Sequence, residues 1–323
     1  MSLASVPFGL GVVIGKFLPP HAGHHLLIDT ALAQCSELVV FVCERPTDPI
    51  PGRDRAEWLR EVHPTADIRL IDDRYDENDS RVWADNTLAW LGRAPDAVFT
   101  SEAYGDAYAG HLKCRHVLVD QARLRVPCSG TAVRNDPFDH WHQLAPPVRA
   151  WYAKRIVCLG AESTGTTTLA RDLAETLATT WVPEYGRDYS ILKQARADME
   201  WRSAEFEEIA REQTRLENLA ARSANKYLIC DTNAFATALW HRRYLGFDDP
   251  ALTAFGLTAK ADLYLLTGDE IPFVQDGLRD GEAIRHEMHE WFVTALNRQA
   301  VPWLLLRGSS EQRLAQALAA IQR

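Results

Sequence analysis

Between residues 15 and 25 the chain reads GKFLPPHAGHH, a stretch whose residue types suit a polyphosphate. Gly15 lets a ligand come close to the backbone, Lys16 offers a charge beside Phe17, and Pro19 and Pro20 stiffen the turn. His21 and His24 are three apart, so on an opening helical turn they face the same side. Gly23 removes a side chain that would crowd a phosphate between them. Two imidazoles aimed at a triphosphate can donate hydrogen bonds as negative charge moves onto a leaving pyrophosphate. A bare HxxH is commonly a chance pair; the longer composite, set between a strand and a helix, is far more specific.

A second constellation lies at Ser129-Gly130-Thr131-Ala132-Val133-Arg134, after VPC and before a helix. Ser129 and Thr131 are good N-cap residues, and the N–H groups of a helix start attract an anion. Arg134 falls in the first turn, where its fork can grip phosphate oxygens. Alone, SxTxxR is a common capping pattern; beside the histidine motif it gains meaning.

A third, GAESTGTTT, follows the strand-like RIVCLG and opens a helix. That is the setting of a phosphate-binding P-loop, with Gly160, Ser163 and Gly165 in the turn and Thr168 entering the helix. The pattern is broken at one place: Thr166 stands where the lysine belongs. Thr167 keeps the hydroxyl that meets Mg²⁺, and Asp231, ending KYLICD, sits where a second magnesium-binding group is expected. Glu184, ending WVPE, could orient or deprotonate a substrate hydroxyl. Arg187 and Asp188 lie close to it, and Arg279, with Arg285 behind it, could close over phosphates. Each of these charges taken singly is more often a solvated surface group.

These residues need elements to position them, and the pattern supplies such elements twice. LGVVIG, ELVVFVC, ADIRLI, DAVFT and RHVLVD alternate with amphipathic helical stretches, as in βαβ units around a parallel sheet. After APPVRAWYAK the series restarts with RIVCLG, TTWVPE, KYLICD, ADLYLLTG and VPWLLLRG. The reading is therefore α/β throughout. A Rossmann-like domain over 8–145 is followed by a connector at 146–153 and a P-loop kinase-like domain over 154–323. In such open sheets ligands bind beyond the carboxyl ends of the strands, where all three motifs fall.

The bulk numbers narrow the class. A 46% hydrophobic and 24% charged composition is that of a globular protein, and no apolar run reaches the ~20 residues of a membrane span. No basic flank precedes the first apolar stretch, so it does not read as a secretory signal. Net charge is −9 with no segregated basic block, which disfavours nucleic-acid binding. Cys35, Cys43, Cys114, Cys128, Cys158 and Cys230 show no metal-ligand spacing and read as free thiols in a reducing, cytoplasmic setting. A homo-oligomer is left open.

GKFLPPHAGH together with SGTAVR resembles the paired signature of the HxGH nucleotidyltransferases. With TSEAYGDAYAGHL, NDPFDHWHQLAPPVR, the broken P-loop and EYGRDY, nearly the whole chain resembles the NadR family, bifunctional nicotinamide-mononucleotide adenylyltransferase/ribosylnicotinamide kinases. The resemblance implies adenylyl transfer from ATP to nicotinamide mononucleotide, giving NAD and pyrophosphate. It also implies a second, ATP-dependent kinase activity toward ribosylnicotinamide, which the missing lysine is expected to impair. Mg²⁺ is implied as cofactor and these small molecules as partners. His21 and His24 would contact the ATP phosphates; Ser129, Thr131 and Arg134 would hold the β- and γ-phosphates. Trp83 and Tyr104 are the candidates for a wall against the pyridine. Two alternatives are an acceptor other than nicotinamide mononucleotide, and a second domain that senses nucleotide without turnover. Some relatives carry an N-terminal DNA-binding domain; the residues before the first strand are too few for a helix-turn-helix.

Overall fold

The computed structural model describes residues 6–76, 79–196, 200–273 and 282–322. The chain divides into two compact units, Met1–Val148 and Arg149–Arg323. The stretch read as a connector is itself a short helix, Pro146–Tyr152, and the division falls inside it.

The first unit is built on five parallel strands: β1 (Phe8–Gly15), β2 (Cys35–Glu44), β3 (Asp67–Asp72), β4 (Ala97–Thr100) and β5 (Arg115–Leu118). Their order across the sheet is β3-β2-β1-β4-β5. The unbroken apolar runs of β1 and β2 place them at the centre, since a strand covered on both faces cannot alternate with polar residues. Successive residues of β1 feed opposite cores. Val13 packs with Leu27, Ile28 and Leu59 from the helices α1 (Ala22–Leu32) and α2 (Gly52–Val62). Val12 packs with Ala84, Tyr108 and Leu112 from α3 (Ser80–Leu91) and α4 (Gly105–Leu112). Because β2 and β4 flank β1 on either side, the strand order reverses there, and a crevice opens beyond Gly15. A short helix, α5 (Gly130–Asn135), follows β5, and α6 is the helix at Pro146–Tyr152.

The second unit repeats the plan with β6 (Lys154–Leu159), β7 (Trp181–Val182), β8 (Tyr227–Asp231), β9 (Leu263–Thr267) and β10 (Trp303–Leu306), all parallel. The order is β10-β9-β6-β8-β7, so the strand that leads into the P-loop is again central. One face is covered by α7 (Thr166–Thr176) and α13 (Ser310–Ile321), through Leu169, Leu173, Ala317 and Ile321. The remaining helices are α8 (Tyr185–Ala195), α9 (Ser203–Ala220), α10 (Ala234–Leu245), α11 (Pro250–Leu257) and α12 (Glu282–Leu296). Phe206 of α9, Ala234 of α10 and Leu252 of α11 share a core.

Both halves thus have the α/β architecture expected from the alternation. All six cysteines are free, five of them buried. Among the described residues no helix is long and apolar enough to cross a membrane.

Candidate active sites

The first cleft lies at the switch point of the first sheet and holds about 380 Å³. Lys16, Phe17, His21, Gly23 and His24 line it from one side, and Ser129, Gly130, Thr131 and Arg134 from another. Two motifs more than a hundred residues apart therefore meet in one cavity.

Their geometry differs in one respect from the helical spacing. His21 is not in the opening turn but is the N-cap of α1, with extended backbone. Its Nδ1 accepts the Gly23 N–H at 3.1 Å, which leaves the ring proton on Nε2. The ring is folded back onto His24, centroids 3.8 Å apart and interplanar angle 30°, while Phe17 meets His24 edge-on at 5.0 Å. A Cβ on Gly23 would lie 3.0 Å from His21 Cε1, so the glycine makes room for an imidazole rather than for a phosphate.

Arg134 ties the two motifs together. It donates to the Leu18 carbonyl and to Thr131 Oγ1, the latter at 3.1 Å. Ser129 Oγ caps α5 by accepting the Ala132 N–H at 3.1 Å. Lys16 shares the buried Asp73 carboxylate with Arg45, at 4.0 and 2.9 Å. Arg55, which the sequence did not single out, is fully buried. Its guanidinium donates to the Lys16 carbonyl, to Cys43 O and Ile50 O at 3.0 Å each, and to Asp48 at 2.7 Å. One planar fork thereby fixes the start of the histidine loop.

Burial pushes the His21 pKa down to about 4, helped by His25, Arg123 and His140. Burial, with His21, His25 and Arg123 nearby, holds His24 well below 6.5. Both rings are neutral at pH 7 and can donate through N–H without carrying charge. Between pH 6.5 and about 4 the folded protein binds fewer protons at these sites than the unfolded chain, so stability rises with pH. The apo protein is expected to lose thermal stability steadily as pH falls through that window. Melting temperatures that are flat from pH 7 to 4.5 would contradict this assignment.

Trp83 and Tyr104 stand elsewhere than on this cleft's lining. The Trp83 indole donates to Asp76 O at 2.9 Å, and its ring meets Tyr75 and Trp90 edge-on. Tyr104 precedes α4 and is half exposed.

The second cleft surrounds the P-loop. Ser163 (φ 59°) and Gly165 (φ 85°) take the left-handed conformation that turns successive N–H groups inward. Gly160 has no alternative, since a Cβ would lie 2.2 Å from Thr267 Oγ1. Arg313, buried on α13, donates to Thr164 O at 2.6 Å, to Gly268 O at 3.0 Å and to Glu270 at 2.8 Å, pinning the loop from behind.

Thr167 donates to Asp231 Oδ2 at 2.6 Å, and Thr166 lines the same cleft. Glu184 lines the same cleft, and so do Thr168 and Arg187. Burial and mutual repulsion hold the Glu184 carboxyl well above the usual range, and burial raises Asp231. A hydroxyl beside two carboxylates fits Mg²⁺, a hard cation that takes oxygen donors. Among the described residues no cluster of three or more His, Cys, Asp or Glu forms a metal cage.

An aromatic wall that the sequence did not single out faces this P-loop. Trp201, Phe206, Trp240 and Tyr244 line the cleft, with Trp201 4.9 Å from Phe206 and 5.1 Å from Tyr244. Trp240 and Tyr244, four apart on α10, stack at 6.4 Å; that spacing is the signal that could have found them. Asp188 is exposed and adds negative charge near Glu184 without lining the cleft. Arg279 lies outside the described residues. Arg285 cannot act as a mobile lid group: it is 1% exposed, with its guanidinium on the carbonyls of Asp269 and Ile271.

Residues 12–136 match the cytidylyltransferase-like family and residues 155–313 match the AAA domain family. The chain is 30% identical to the trifunctional NAD biosynthesis/regulator protein NadR of Salmonella typhimurium, over 84% of this chain and 71% of that protein. It is 29% identical to the protein of the same description from Escherichia coli, over 91% and 78% respectively. Its fold is similar to a crystal structure of NadR protein in complex with NR (TM-score 0.76, 21% identity, 100% of this chain and 97% of that one). A second, in complex with NAD and AMP-PNP, gives a TM-score of 0.74 at 19% identity, covering 98% and 95%.

Proposed function

Because this chain belongs to the NadR family, we propose that its first domain joins nicotinamide mononucleotide to the adenylyl group of ATP, giving NAD and pyrophosphate. The observation that carries the reading is the meeting of His21, His24 and Arg134 in one cleft at the switch point. An oxygen of the acceptor's 5′-phosphate attacks the α-phosphorus of ATP. The bond to the β-phosphate bridging oxygen breaks, and pyrophosphate leaves with the electron pair. No covalent enzyme intermediate is needed. His21, with its proton on Nε2, and His24 donate toward the charge that grows on the leaving group. Arg134, with Ser129 and Thr131, holds the β- and γ-phosphates, and Lys16 adds a charge at the cleft edge.

The second domain is proposed as a ribosylnicotinamide kinase whose product feeds the first. The pyridine ring, which is flat and cationic, suits a wall of Trp201, Trp240 and Tyr244. Glu184 accepts the proton of the 5′-hydroxyl as its oxygen attacks the γ-phosphorus; the bond to the β,γ-bridging oxygen breaks and ADP leaves with the electron pair, and the raised pKa of Glu184 matches its task. Thr167 and Asp231 would hold Mg²⁺, which when bound neutralises charge on the phosphates. Thr166 in place of lysine favours a second reading, in which this domain binds nucleotide and turns it over slowly or not at all.

Purified protein with MgATP and nicotinamide mononucleotide is expected to release NAD and pyrophosphate in equal amounts. Coupled detection of NAD checks it. No NAD above the enzyme-free control, with folded protein and several divalent metals tried, removes the assignment; product formed from another phosphorylated acceptor redirects it.

A further inference from the structure

The loop between β5 and α5 carries a cation that neither motif includes. Asp120 begins it, and its carboxylate accepts the N–H groups of Leu124, Arg125 and Val126 at 2.9 to 3.2 Å. Arg123 N donates to Asp120 O at 2.8 Å. Both Asp120 (φ 48°) and Arg123 (φ 52°) occupy the left-handed region, unusual for side chains with a Cβ. The turn is thus closed tightly around one acid, and its tip presents Arg123 to the cleft that holds His21, His24 and Arg134. Val126 packs within 4.0 Å of the position a Gly23 Cβ would take, so loop and histidine motif are neighbours.

The Arg123 side chain is 51% exposed, and its nearest carboxylate is Glu102 at 3.7 Å, itself 57% exposed. An ion pair this open contributes little, and a phosphate can displace it readily. We infer that Arg123 is a further phosphate-binding residue of the first site, gripping a phosphate from the side facing Arg134. Glu102 holds the guanidinium until that phosphate arrives. The inference rests on the first domain being a nucleotidyltransferase. The phosphate belongs either to the ATP polyphosphate or to the 5′-phosphate of the acceptor.

Arg123→Gly tests this cleanly, because glycine keeps the left-handed φ while removing the guanidinium; Arg123→Lys keeps charge without the fork. Inorganic tripolyphosphate is titrated into the full chain and followed by the imidazole NMR signals of His21 and His24, which report this site alone. That titration does not depend on which acceptor the enzyme uses, so it separates this inference from the NAD assignment. Arg123→Gly is expected to weaken tripolyphosphate about tenfold or more, the scale of one charge-assisted hydrogen bond. Arg123→Lys should recover part of this, and Glu102→Gln should tighten binding. In NAD synthesis the KM for ATP then rises with the KM for nicotinamide mononucleotide little changed. Unchanged tripolyphosphate affinity with a tenfold rise in the acceptor's KM assigns Arg123 to the acceptor phosphate. Tripolyphosphate affinity and both KM values within twofold of wild type for Arg123→Gly would overturn the inference.

Discussion

His24→Ala is expected to lower kcat for NAD formation by roughly 10² to 10³, the scale of losing one preorganised donor to transition-state charge. The KM for nicotinamide mononucleotide should move little, because the role proposed for the ring is toward the ATP phosphates. The surroundings favour a clean result. His24 Nδ1 is buried without a hydrogen-bond partner, so truncation strands no group at that nitrogen. His21 keeps its tautomer through Gly23 N, and Arg134 keeps the Leu18 carbonyl. What is lost is the stack under His21 and one donor. Near-normal turnover, measured with the melting temperature alongside, would make His24 a packing residue.

Thr166→Lys is expected to raise ribosylnicotinamide-dependent ADP release by about a hundredfold. A lysine here follows the transferring phosphoryl group. By analogy with oxyanion donors its absence costs ~3 kcal/mol, about two powers of ten in rate. Position 166 lines the cleft with Asp231 and Glu184, so an ammonium there would enter beside carboxylates whose pKa values are raised. A nearby cation favours their charged form. The acid limb of the kinase pH profile should therefore move to lower pH in the variant. Wild-type turnover of ~1 s⁻¹ or more, with no gain from the lysine, would mean that another cation has taken its place. Arg187, on the same cleft, is then the first to remove.

Much of this was legible in the residues. Unbroken apolar runs such as LVVFVC can only be strands covered on both faces, and Gly-rich turns between strand and helix mark the carboxyl ends where ligands bind. What escaped reading is set by contacts across long sequence separations. Arg55 and Arg313 look like ordinary surface charges, yet each spends its guanidinium on backbone carbonyls, of Lys16 and of Thr164, 39 and 149 residues away. Arg285 looked like a lid for the same reason and proved to be of their kind. Trp83, read as a wall for the pyridine, meets Tyr75 and Trp90 edge-on and stands off the lining of the first cleft. Trp201 and Tyr244 come from different segments, and nothing local says that they meet. Spacing alone put His21 in the helix; its own side chain capping the helix put it one step outside.

In each half the strand that feeds the phosphate loop is the first made and the one at the middle of the sheet. During synthesis β1 emerges early, but Gly11 and Val12 pair with Ala97 and Val98 only when β4 has followed. Ile156 of β6 likewise waits for Leu263 of β9. A nascent or truncated chain that stops short of those partners can display every residue of a motif and still have no rigid crevice behind it. Ligand affinity in either half should therefore switch on abruptly with chain length, at β4 or beyond for the first and at β9 or beyond for the second. A gradual rise in affinity as residues are added would contradict this.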